Sequence, residues 1–139
     1  MKRVFLDANV IFTAAHNFRG NGRALFTLAT EGRLQLVSSR YAIEEAWRNI
    51  ALKYPECLRE LSDLLATLGV TGEPGVEHSS LASGHGLPDK DIPILAAAIA
   101  ASATVLVTGD RRDFGSLYGK KVAGVTVVTP AQAVTLGLS

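Results

Sequence analysis

The chain holds a single cysteine, Cys57, among its 139 residues, so no internal disulfide can form. A fold of this length buries a substantial core without staples, and a lone thiol fits a reducing compartment such as the cytoplasm. Nothing in "PECLRE" marks Cys57 as reactive, which leaves it an inert or buried side chain. Excess charge is also missing: 14 Lys and Arg stand against 13 Asp and Glu, for a net charge of +1. No strong overall pull towards nucleic acid follows, although the same charges grouped on one face would still serve. Zinc-ligand spacing is absent, because His16, His78 and His85 are scattered and there is no second cysteine. These histidines read as loop or surface residues; His85, in "SGHGLPD", lies nearest the acids.

Long apolar runs are scarce as well. The run after Lys2 and Arg3 stops at Asp7, too early for a signal peptide. The uncharged stretch Ile92 to Gly109 approaches the ~20 residues of a membrane span. It contains Pro93, Ser102, Thr104 and Thr108, however, and turns from alanine-rich to β-branched. It reads as a buried helix followed by a buried strand, so no membrane partner is expected. With 47% apolar and 19% charged residues, the composition is that of an ordinary globular protein.

What is present is an alternation of strands and helices. "RVFL" reads as a short buried strand ending at Asp7, with a helix through "VIFTAAH". "NFRGNGR", Asn17 to Arg23, reads as a turn, and "ALFTLATEG" as a helix closed by Gly32. "LQLVS" is a second strand, and Ser38 or Ser39 caps the helix "RYAIEEAWRNIALKY", which Pro55 ends. "ECLRELSDLLATLG" is amphipathic, with leucines at 58, 61, 64, 65 and 68 and Gly69 as its stop. Gly69 to Pro88 is expected to be mostly loop, with a short strand around Val76. The helix "DKDIPILAAAIAASA", the strand "TVLVT", a loop, the strand "GVTVVT" and the helix "PAQAVTLGL" complete the chain. The expectation is one α/β domain over residues 1–139, a three-layer α/β/α arrangement around a mostly parallel sheet of four to five strands.

In such sheets, sites form beyond the carboxyl ends of the strands. Asp7 follows "RVFL" and Asp110 follows "TVLVTG", with Asp113 three residues later. Asp89 and Asp91 open a helix, and Glu44 and Glu45 lie one turn into another. Several have ordinary alternatives: Asp89 or Asp91 as a helix cap, Asp110 as a turn former, Glu44 or Glu45 as solvated surface. Asp7 is the hardest to explain so, because the apolar chain resumes at once after it. Gathered in one place, these carboxylates would repel each other and raise each other's pKa values unless cations neutralised them. Oxygen-only ligand sets suit hard divalent ions, Mg²⁺ or Mn²⁺.

"VFLDANVI", "SSRYAIEEAWRNI", "PDKDIPILAAAIA", "VLVTGDRRDF" and "GVTVVTPAQAV" together resemble, in order and spacing, the PIN domain of metal-dependent ribonucleases. That family includes the VapC-like toxins of bacterial and archaeal toxin–antitoxin pairs. The resemblance spans essentially the whole chain. It implies that Asp7, Asp91, Asp110 and Asp113 are metal ligands, and that Asp7, Glu45, Asp91 and Asp110 form the catalytic set. Asn9, Thr108, Glu44 and Asp89 would support them. The family pattern selects Glu45, whereas the helical stripe Ile43, Ala46, Trp47, Ile50 leaves Glu44 nearer its edge.

The activity implied is Mg²⁺- or Mn²⁺-dependent hydrolysis of RNA phosphodiesters, with Arg111, Arg112, Lys120 and Lys121 available to the RNA backbone. A cognate antitoxin and a homodimer are the implied partners, and a stand-alone PIN nuclease in RNA processing is the alternative role. Two other classes compete. A haloacid-dehalogenase-type phosphatase also places an Asp after its first strand but needs a second Asp two residues on, where this chain has Asn9. A non-catalytic RNA-binding PIN module would be signalled by missing acids, and all are present.

Overall fold

The first strand, β1 (Lys2–Leu6), has its last three residues buried. A run of Val, Phe and Leu with no polar alternation suits a strand covered on both faces. The computed structural model describes residues 1–139. It places β1 inside a six-stranded sheet of order β3-β2-β1-β4-β6-β5. The other strands are β2 (Leu34–Ser39), β3 (Gly69–Thr71), β4 (Val105–Val107), β5 (Lys121–Val122) and β6 (Val125–Val128). All neighbouring pairs are parallel except β5 with β6. The helices are α1 (Ala8–His16), α2 (Asn21–Thr30), α3 (Arg40–Lys53), α4 (Leu58–Leu65), α5 (Val76–Ala82), α6 (Ile92–Ala100) and α7 (Pro130–Leu138). They flank the sheet to give the expected three-layer α/β/α fold.

Chain direction through the sheet reverses at β1. From β1 the chain moves outward through β2 to β3, then crosses back to β4 on the other side of β1. The crevice between β1 and β4 is therefore the topological switch point, the usual place for a site in an open α/β sheet. Register sharpens this: Leu6 pairs with Val107, so Asp7 and Thr108 leave the sheet side by side.

The sheet has six strands rather than four or five. Two strands are unexpected: β3, and β5, which forms a two-residue hairpin with β6 through Ala123 and Gly124, at φ +48° and +90°. Positive φ at both central positions is the type I′ pattern that matches strand twist. The usual Asn-Gly or Asp-Gly marker is replaced by Ala-Gly, so the hairpin carries little local signal.

Three boundaries also depart from expectation. The Asn17–Arg23 turn is shorter, because α2 begins at Asn21. The leucine helix does not run to Gly69. A 3-10 turn over Pro55–Cys57 precedes α4, the Thr67 hydroxyl caps the Leu64 carbonyl at 2.8 Å, and Gly69 opens β3. Gly69 suits the close approach there, since a Cβ would stand 3.2 Å from Val37 Cγ1. Val76 begins a helix, not a strand. Its cap is Gly75, whose N–H donates to His78 Nδ1 at 2.9 Å, so a histidine fills the role usually held by Glu or Gln. Leu61 and Leu68 are buried and Leu58, Leu64 and Leu65 pack against the core, so the leucine stripe is internal.

Candidate active site

Asp7 sits at the switch point, 4% exposed, and both of its oxygens are held. One accepts a hydrogen bond from Ala8 N at 2.7 Å, at the start of α1. The other accepts from the Thr108 hydroxyl at 2.8 Å and from the Asn9 amide at 3.2 Å. Asn9 in turn accepts from Gly109 N at 2.8 Å, and Thr108 Oγ1 accepts from Asp110 N at 3.1 Å. Tyr118 steadies this turn from outside by donating to the Thr108 carbonyl at 2.7 Å. The acid after β1 and the loop after β4 thus form one hydrogen-bonded unit. Burial pushes the Asp7 carboxyl up to about 6, and the negative charges of Asp91 and Glu45 push the same way, against the bonds from Thr108 and Ala8.

Asp91, Asp110 and Asp113 form a triad whose carboxylate oxygens all lie within 4.8 Å of one another. Asp7 and Glu45 stand beside this triad rather than in it. Asp91 is 6% exposed and occupies the N-cap position of α6, yet its side chain makes no capping bond. The carboxylate is turned to Lys90 instead. Asp110 is a turn former, its Oδ1 accepting from Arg112 N and Asp113 N at 3.0 Å each. Lys90 Nζ bridges Asp91 at 3.1 Å and Asp113 at 2.9 Å. Its ammonium holds the Asp113 carboxyl below the ordinary range, whereas burial raises that of Asp91. Hydrogen bonding to Asp113 first, and then the bond and charges of Asp91, hold the Lys90 proton more firmly than usual.

Paired acids are separated by geometry. Asp89 is exposed and Asp91 buried; Glu44 is exposed and 3.9 Å from Arg40, whereas Glu45 is half-buried on the Asp7 side. The stripe expected from Ile43, Ala46, Trp47 and Ile50 is wrongly phased. The buried face of α3 is Ala42, Ala46 and Ile50, and Trp47 is 42% exposed. On the true face Glu45 lies at the edge and Glu44 points away, the reverse of what the larger apolar residues implied.

Arg111, Arg112, Lys120 and Lys121 are exposed and form no ion pair with the carboxylates. The histidines are engaged elsewhere: His16 stacks on Tyr54 at 4.3 Å, His78 caps α5, and His85 Nε2 is 3.0 Å from the Leu81 carbonyl. Lys90 and Tyr41 also border the candidate site. Tyr41 donates to the Lys90 carbonyl at 2.7 Å, and burial with the charges of Glu45 and Asp91 raises its phenol pKa. Tyr41 precedes Glu45 by four positions, one turn along the same helix face, which was the available signal. Tyr118 had none. The donors gathered here are all oxygens on a crowded, partly buried acidic centre, which fits a hard divalent cation.

The family profile described as PIN domain matches residues 3–112, and the chain belongs to that family. No curated protein sequence matches it. Among solved structures it is similar to a chain of VapBC2 from Rickettsia felis bound to a DNA fragment from the promoter, with TM-score 0.67, 15% identity and coverage of 91% and 98% of the two chains. PAE2754 from Pyrobaculum aerophilum gives TM-score 0.67 and 18% identity over 99% and 98%. VapBC-1 from nontypeable Haemophilus influenzae gives 0.61 and 16% over 93% and 98%. No helix of the chain is long and apolar enough to cross a membrane.

Proposed function

We propose that the protein is a Mg²⁺- or Mn²⁺-dependent endoribonuclease, the toxin of a type II toxin–antitoxin pair. The observation that carries this reading is the buried Asp7, clamped by Thr108 and Asn9 beside the Asp91, Asp110 and Asp113 triad. In this reading Asp7, Asp91 and Asp110 hold the cation, with Asp113 as a further ligand. When bound, the ion supplies Lewis acidity to the scissile phosphate and lowers the pKa of a coordinated water. Glu45, half-buried at the edge of the centre, holds the attacking water and receives its proton. Thr108 and Asn9 fix the Asp7 carboxylate so that no reorganisation is needed at the moment of reaction. Arg111 and Arg112, following Asp110, contact the RNA backbone, and Lys120 and Lys121 extend that contact.

An Asp-nucleophile phosphatase fits less well. The second acid that chemistry requires is replaced by Asn9, whose amide is committed at both ends to Asp7 and Gly109. The antitoxin partner is supported by the similarity to chains from VapBC structures, and by that to FitAB bound to an IR36 DNA fragment, at TM-score 0.57 and 22% identity. The cytoplasm, where RNA and such a partner meet, is the proposed location, and a homodimer is the proposed assembly.

Incubation with a mixed-sequence structured RNA tests the chemistry. Cleavage is expected with Mg²⁺ or Mn²⁺, none with EDTA, and none with folded Asp7→Asn. Equal cutting by Asp7→Asn would sink the mechanism. A short adjacent reading frame encoding a DNA-binding protein that suppresses cleavage would support the toxin role, and its absence would favour a stand-alone nuclease.

A further inference from the structure

One face of α1 carries Asn9, Thr13 and, at its C-terminal cap, Asn17, each four positions from the last. That spacing sets side chains one above another along a helix. The stripe begins at the acidic centre, where Asn9 is bound to Asp7 and Gly109, and runs away from it. Together with Gly20, Asn21 and Gly22 at the start of α2 and Pro130 at the start of α7, it lines an open cleft of about 550 Å³. Gly109 and Asp110 close the near end, so the cleft and the carboxylate centre share a wall.

Two features decide what the cleft can hold. First, no Lys or Arg lines it and Asp110 is its only charge. A channel for phosphates would need cations, so the strand's backbone does not lie here. Second, its exposed lining is mostly carbon, with uncharged donors and acceptors set among it. Asn9 is fully used internally and the Asn17 Oδ1 accepts from Arg19 N, but Thr13, Asn21 and the Asn17 NH₂ keep their groups free for a ligand. Flat apolar faces edged by donors and acceptors describe a nucleobase, and single-stranded RNA is read through splayed-out bases of this kind. The volume falls within the range of small-ligand pockets.

We propose that this cleft is a subsite for one unstacked nucleobase of the RNA, adjoining the phosphate held at the acidic centre. The inference rests on the ribonuclease reading, and it makes Thr13, Asn17 and Asn21 specificity-determining residues. A base seated there sets which internucleotide bond reaches Asp110.

The test is a ¹H–¹⁵N NMR titration of the full chain in EDTA with AMP, CMP, GMP and UMP, and with ribose 5-phosphate as control. Saturable shifts are expected at Thr13, Asn17 and Asn21 for at least one nucleotide, and not for ribose 5-phosphate. Asn21→Ala and Thr13→Val should abolish them at unchanged melting temperature. In RNA cleavage the same variants should raise KM by roughly five- to tenfold, the equivalent of one lost hydrogen bond, with kcat little changed. Equal shifts with ribose 5-phosphate would overturn base recognition. No shift with any nucleotide, in a protein that cleaves RNA, would overturn the subsite while leaving the nuclease intact. Shifts in a protein that cleaves no RNA would leave the subsite and remove the nuclease reading.

Discussion

The hydroxyl of Thr108 donates to the carboxylate of Asp7 at 2.8 Å across 101 positions of sequence. That bond ties the ends of the two strands on either side of the switch point. Thr108 is fully buried and also accepts from Asp110 N, so one hydroxyl serves two carboxylate-bearing segments.

Replacing Thr108 with Val keeps the shape and removes all three bonds of the hydroxyl, including the one it accepts from the Asn9 amide at 3.3 Å. Stability should fall by about 1–3 kcal/mol, the usual cost of leaving buried polar groups unpaired. Thr108→Ser should recover most of it. Denaturant melts of the three proteins check this; a Val variant as stable as the parent would show that the tie does not matter.

Asp7 also predicts a pH dependence. Its folded pKa, about 6, lies above the ~3.9 of an unfolded Asp. Below the unfolded value the carboxyl is protonated in both states and costs nothing. As pH rises through this window the unfolded state ionises first, so the Asp7 contribution to stability declines and is fully unfavourable above the folded value. A two-unit shift corresponds to at most about 3 kcal/mol. Buried Asp91 adds to the decline in the same direction. In EDTA, wild type should lose stability relative to Asp7→Asn between pH 4 and 7, and parallel curves would contradict the assignment. Divalent-ion stabilisation should correspondingly be larger at pH 7.5 than at pH 5, because the ion must displace a proton at the lower pH.

Lys90 places a fixed cation between Asp91 and Asp113. A divalent ion at the triad meets its repulsion, so Lys90→Met should bind Mn²⁺ more tightly, by up to about fivefold given the solvent exposure of the lysine. The metal-free variant should melt lower, since two carboxylates lose their counter-charge. Mn²⁺ titration followed by EPR, with Lys120→Met as control, measures this. Weaker binding by Lys90→Met would instead make the lysine a supporting part of the metal site.

The paired acids give the sharpest contrast. Glu45→Gln and Asp91→Asn should reduce RNA cleavage by at least about 100-fold, in the range of lost acid–base or ligand groups. Glu44→Gln and Asp89→Asn should stay within about twofold. Comparable losses at Glu44 would mean that the helix presents its other face to the substrate.

Much of this was legible because parallel-sheet geometry is simple. Apolar runs ending in Asp7 and at Asp110 had to meet at one edge if their strands were neighbours, as they are. What failed depended on size or long-range contact. Alanines at 42 and 46 are weak markers of burial beside Trp47, so the apolar pattern alone mis-phases α3. A seven-residue helix capped by a histidine nitrogen, α5, has no common signature, nor has an Ala-Gly hairpin. The Lys90 bridge was hidden because its partner Asp113 is 23 residues away, and only the fold brings them together.

The most direct measurement is anomalous diffraction from crystals soaked in Mn²⁺. The account predicts one or two strong peaks in contact with the carboxylates of Asp7, Asp91 and Asp110, lost or displaced in Asp7→Asn crystals. No peak at these residues, or a peak that Asp7→Asn leaves untouched, would contradict it.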